Sequence, residues 1–107
     1  MTIDEYAQWA AAIAKPVGLS SRFDVLAYLV LGLCGEAGEV ADTVRRQIRD
    51  GALSEDRLVY ELGDLLYHWA CLCAELGRLP SAMLEQSQRN IEARLAAGKS
   101  ATATTHE

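Results

Sequence analysis

Apolar residues recur along this chain with the three- and four-residue intervals of amphipathic helices. Leu26, Leu29, Val30, Leu33, Ala37, Val40, Val44 and Ile48 make one stripe, and Leu58, Leu62, Leu65, Leu66, Trp69, Leu72 and Leu76 make another. The signals between the stripes are those of helix ends. Thr2 and Glu5 fit a capping box that opens a first helix over about residues 3–14. Lys15-Pro16-Val17-Gly18 breaks it, and Ser20-Ser21 offers caps for a second helix from about Arg22 to Arg49, with Gly51 just past its end. Ser54 caps a third helix from about Glu55 to Leu76, which Gly77 ends. Pro80 suits the first turn of a fourth, which should stop near Ala97, before Gly98. No run alternates with the period of a strand. Short loops between long helices predict an all-α, four-helix antiparallel bundle. The expected division is a helical domain over 1–98 and a flexible C-terminal tail over 99–107, rich in Ala and Thr.

Polar residues on the edges of the stripes change the picture. Glu36 and Glu39 lie along one edge of the second helix, with Thr43 between them in angle and Gly32 one turn earlier. Glu61, Asp64, His68 and Glu75 lie along one edge of the third. Each helix thus carries two carboxylates three residues apart, which are surface neighbours on a helix. If the helices pack side by side, four carboxylates converge. Left bare, such a cluster repels itself and some members must take up protons. A hard divalent cation resolves the repulsion, and Mg²⁺ keeps water positions free for a phosphate-bearing ligand. Gly32, Gly35 and Gly38 cost about 1 kcal/mol each against Ala in a helix, and they suggest close approach by a backbone or a ligand. A solvated acidic edge is the alternative for either pair taken alone.

Composition narrows the classes. The 107 residues make one domain, half of them hydrophobic, with a net charge of −5. No basic cluster is dense enough for a nucleic-acid polymer; Arg45, Arg46 and Arg49 come nearest and suit a solvated helix C-terminus. Arg46 also projects toward the side of Glu39, where it would meet phosphate. The longest uncharged apolar segment, Val25 to Gly35, is too short to cross a membrane, and the first ten residues lack the pattern of a signal peptide. Cys34, Cys71 and Cys73 have no CxxC spacing and read as small buried hydrophobes in a reducing compartment, which places the protein in the cytoplasm. A di-iron bundle is disfavoured because no Glu-x-x-His pair occurs.

Gly35-Glu36-Ala37-Gly38-Glu39-Val40, followed by Glu61-Leu62-Gly63-Asp64-Leu65-Leu66-Tyr67, resembles the ExxE…ExxD signature of the MazG-like, all-α nucleoside triphosphate pyrophosphohydrolases. The similarity runs from about Met1 to Gly98 and includes Tyr6-Ala7-Gln8-Trp9 and a closing helix ending in Arg94 and Gly98. It implies cleavage of a (deoxy)nucleoside triphosphate to the monophosphate and pyrophosphate, by attack of a metal-activated water on the α-phosphorus. It implies Mg²⁺, with Mn²⁺ as a substitute, on Glu36, Glu39, Glu61 and Asp64, with Glu36 or Glu39 as the base. It implies a homodimer or homotetramer whose subunits complete one another's cores. The chain also departs from the pattern. The position before Glu36 is Gly35, where some relatives have another glutamate. Ser87 and Asn90 occupy positions that in many relatives hold an Asn and a Lys contacting the nucleotide, leaving Asn90, Arg89 or Arg94 for that work. His68 stands where a Tyr is common, beside Tyr67. Trp9 and Tyr6 suit either a nucleobase or packing. His68 suits a ligand carboxylate, the nucleotide, or a local partner. The alternative function is a non-catalytic nucleotide-binding or interaction module of the same fold.

Overall fold

Local capping chemistry sets the helix ends in the computed structural model, which describes residues 1–15, 18–52 and 54–105, with side chains only to residue 99. Among these residues the chain forms four α-helices and no strand: α1 (Ile3–Ile13), α2 (Arg22–Asp50), α3 (Glu55–Glu75) and α4 (Pro80–Thr105). The Thr2 hydroxyl accepts from the Glu5 N–H at 3.0 Å while the Thr2 N–H donates to Glu5 Oε1 at 3.1 Å, the reciprocal pair of a capping box. Ser21 and Ser54 accept in the same way from the Asp24 and Arg57 N–H groups. Gly51 closes α2 at φ +74°, in the left-handed region where a side chain would be strained. Of the expected break after α1, Pro16 and Val17 lie outside the described residues.

The loop at 51–54 is short, so α2 and α3 run antiparallel and pack along their lengths; α3 also packs on α1. The buried centre is small. Ala7 and Ala10 of α1 meet Ala70 of α3, flanked by Tyr6, Tyr67, Trp69 and Cys71. Alanines at this crossing let the two backbones come close. α4 packs mainly on α1. Its attachment is polar: the Ser81 N–H donates to Asp4 Oδ1 at 2.8 Å and the Ser81 hydroxyl to Asp4 Oδ2 at 2.6 Å. A carboxylate of α1 thereby satisfies an orphan donor in the first turn of α4 and complements its dipole.

Two expectations need correction. α4 does not stop before Gly98. It runs on to Thr105, because Ala-rich sequence on either side absorbs the cost of one glycine. Cys34 is exposed, whereas Cys73 is buried and Cys71 half-buried. Cys34 sits between the stripe and the outer face of α2, where it is left exposed among the described residues. Burial raises the Cys73 thiol above its ordinary range.

The apolar stripes are also only partly covered. Val30, Leu62, Leu66 and Leu76 are each 40% exposed or more, and Ile48 is 74% exposed. α4 leaves the α2–α3 face open, and the Cα radius of gyration is 18.2 Å, against about 13 Å for a compact domain of this size.

Candidate functional site

The antiparallel packing of α2 on α3 sets the edge of one helix against that of the other. Oxygens of Glu36, Glu39 and Glu61 come within 4.8 Å of one another, three of the four carboxylates expected to meet. The Asp64 carboxylate stands outside this trio. Its backbone carbonyl has another task, accepting a hydrogen bond from His68 Nδ1 at 3.0 Å.

The three glutamates differ in setting. Glu61 is 2% exposed, a position that carboxylates occupy only when paired. The pair is Arg57, one turn earlier on α3, whose Nη2 lies 2.7 Å from Glu61 Oε1. Glu36 is half-buried, its Oε2 is shut off from solvent and has no hydrogen-bond partner, and its Oε1 lies 3.9 Å from His68 Nε2. Glu39 is exposed. Thr43 Oγ1 and Gln47 Oε1, on the same face of α2 as Glu36, are likewise buried and unpartnered.

These features fit a divalent cation. A buried carboxylate oxygen without a donor is costly unless a positive group meets it. Ionised, the three carboxylates face one guanidinium and keep two uncompensated negative charges, which one divalent ion balances. All donors are hard oxygens, the preference of Mg²⁺.

The aromatic residues continue from this site to α1. Trp9 packs between Tyr6 (5.5 Å between ring centres) and Tyr67 (6.3 Å, edge-on), and Tyr67 packs edge-on against His68 at 5.6 Å. Trp9 is half-exposed. Burial raises the Tyr67 phenol above its usual range, and its hydrogen bond with Cys71 adds to the shift.

Other expected contacts lie elsewhere. The Arg46 guanidinium is held by Asp42 at 3.2 Å, and Arg45 binds the same carboxylate at 2.7 Å. Asn90 and Arg94 line a separate groove of about 340 Å³ with Trp69, Met83 and Ser87, and the Asn90 Oδ1 accepts from Gln86 Nε2. Gly35 and Gly38 have nothing within 4 Å of where a Cβ would stand, so no segment among the described residues uses the space they leave. A larger cleft of about 470 Å³ between α1, α2 and α3, bordered by Lys15, Val25, Cys71 and Glu75, contains none of the trio. Arg57 was not anticipated. Its position four residues before Glu61 is the one signal that marks it.

Four helices with carboxylates gathered between two antiparallel members make this an all-α protein with an acidic inter-helical site. The family model of the MazG nucleotide pyrophosphohydrolase domain matches residues 25–92, well over half of the chain, and the protein is a member of that family. Over 88 residues it is 32% identical to the Gene 37 protein of Mycobacterium phage L5, a match spanning 78% of this chain and 77% of the phage protein. No solved structure matches it. No helix among the described residues is long and apolar enough to cross a membrane.

Proposed function

We propose that this protein is a Mg²⁺-dependent nucleoside triphosphate pyrophosphohydrolase that converts a (deoxy)nucleoside triphosphate to the monophosphate and pyrophosphate. The observation that carries this is the carboxylate trio, one of whose members, Glu36, has a buried and unpartnered Oε2. Glu36, Glu39 and Glu61 would hold the ion, with Asp64, three residues from Glu61 on α3, as the fourth carboxylate of the set. When bound, the ion supplies charge neutralisation for the triphosphate and acidifies water. The rest is the work of the chain. Arg57 fixes Glu61 in one orientation. Glu39, the most exposed of the trio, accepts the proton of the attacking water, with Glu36 the other acceptor within reach. The water oxygen bonds to the α-phosphorus, the α–β bridging bond breaks, and pyrophosphate leaves with its electron pair. Trp9, Tyr67 and His68 form the wall on which the nucleoside rests. Within one chain Arg46 is held by Asp42, and Asn90 and Arg94 line a separate groove, so these residues would meet the substrate across a second subunit.

The open α2–α3 face supports assembly. Leu33, Leu62, Leu65, Leu66 and Trp69 line an apolar groove of about 430 Å³, and the excess radius of gyration indicates that one chain does not close its own core. A second copy covers this groove, as a homodimer or in a homotetramer. The test is a panel of ribo-, deoxy- and modified triphosphates with Mg²⁺, products identified by mass. Pyrophosphate release that Glu61→Gln abolishes supports the proposal; nucleotide binding without turnover gives the non-catalytic module instead.

A further inference from the structure

We propose that α4 is an assembly arm: beyond its first turn it packs on a second copy of the chain, whose α2–α3 edge seats in the trough between α3 and α4. This rests on the homo-oligomer reading above and says which surfaces meet. The first turn of α4 is held by the Asp4–Ser81 hydrogen bonds and by Cys73 Sγ, 3.5 Å from Met83 Sδ. From Leu84 to Lys99 every residue is exposed. The side-chain hydrogen bonds of Gln86, Gln88 and Arg89 end within α4 itself. Helices owe most of their stability to the packing of one face, so an uncovered length of this kind calls for a partner surface. Leu84, Ile91 and Leu95, each about half exposed, lie on one stripe of it.

The chain itself offers the matching surface. Leu62, Leu66 and Leu76 of α3 are also left open; at about 1.5 Å per residue their stripe is about 21 Å long, enough for the α4 stripe of about 16 Å. Trp69 lines both the α2–α3 groove and the trough between α3 and α4, so the two apolar surfaces are continuous. Ser87, Asn90 and Arg94 make the trough's other wall polar. It therefore suits an apolar edge that runs beside an acidic one. The α2–α3 edge is of that kind, with Leu33 one turn from Glu36 and Leu62 next to Glu61. Charge agrees: α2 and α3 together hold ten acidic residues against five basic, whereas residues 84–99 hold three basic against two acidic. So does area. The chain exposes 8004 Å², against about 5,900 Å² for a compact monomer of this mass. The excess of about 2,100 Å² is well above the roughly 800 Å² that each partner buries in a standard interface. A two-fold exchange, with each arm on the other copy's bundle, covers both open surfaces at once, and it brings Arg94 of each arm to the acidic edge of the other copy.

The experiment measures the solution mass of the full chain by light scattering, then places a benzophenone amino acid at position 91, on the stripe, or at position 89, on the opposite face of α4. After irradiation, covalent dimers are separated and their joined peptides identified by mass. The expected result is a dimer or larger in solution, with covalent dimer from position 91 joined to the α2–α3 face near Leu33, Leu62 or Trp69, and little or none from position 89. Ile91→Asp with Leu95→Asp should weaken association about a hundredfold or more, as the loss of two buried aliphatic side chains implies. An oligomer whose position-91 adducts fall on another α4, stay within one chain or do not form, or whose association survives the double substitution, overturns the arm and leaves the homo-oligomer standing. A wild-type chain that stays monomeric at high concentration overturns both.

Discussion

Arg57→Met removes the one charge that neutralises Glu61, together with the guanidinium that lies 5.1 Å over the Tyr60 ring, while keeping an unbranched apolar side chain. Breaking a fully buried ion pair costs about 3–5 kcal/mol, because the surviving charge is left uncompensated. An exposed pair is worth about 0–1 kcal/mol. This pair is asymmetric, with side-chain exposures of 54% for Arg57 and 3% for Glu61, so the intermediate figure of about 1–3 kcal/mol applies. For a domain of this length that lowers the melting temperature by about 5–12 °C. Two further results distinguish loss of charge from loss of packing. The effect should nearly disappear when Glu61→Gln is already present, since no buried charge then remains. Added Mg²⁺ should raise the melting temperature of Arg57→Met more than that of wild type, because the trio is one positive charge poorer. The assay is thermal denaturation by circular dichroism at fixed protein concentration, with and without Mg²⁺. Melting of Arg57→Met within about 1 °C of wild type, with the same response to Mg²⁺, refutes the role of the pair.

Gly35→Ala and Gly38→Ala should each stabilise an isolated chain by about 1 kcal/mol in urea titration, since nothing in this chain meets the added methyl; a loss of stability instead would mark the close approach of a second subunit. Ser81 holds the Asp4 carboxyl below its usual range, through its hydroxyl first and its backbone N–H second. Stability from that contact is therefore present above about pH 4 and lost as pH falls through the lowered folded value. Ser81→Ala should accordingly be less stable than wild type at neutral pH, and the gap should close in strong acid. Cys34 should react with a thiol reagent in the folded protein well before Cys73, which waits for unfolding.

The boundaries of α1, α2 and α3 were legible because capping is local: Thr2, Ser21, Ser54, Gly51 and Gly77 act within one turn of their own position. The meeting of Glu36, Glu39 and Glu61 was legible for a related reason. Periodicity puts each pair on an edge, and the short loop at 51–54 leaves α2 and α3 little choice but to pair. What escaped depends on distant contacts. α4 is anchored by Asp4 and Ser81, 77 residues apart, and no local pattern announces that bond. Periodicity marks a face as apolar without saying whether this chain or another covers it, which is why Val30, Leu62 and Ile48 read as core yet stand exposed. Arg57 escaped because a basic residue one turn from an acidic one resembles an ordinary surface pair; only the burial of Glu61 sets it apart.

Hydrolysis in ¹⁸O-labelled water, with the products weighed, tests the central claim most directly. Pyrophosphate of natural mass, together with one ¹⁸O per nucleoside monophosphate, formed only with a divalent ion and lost in Glu36→Gln and Glu61→Gln, is the predicted result. Label in the pyrophosphate, release of orthophosphate, or turnover that survives removal of these carboxylates would contradict it.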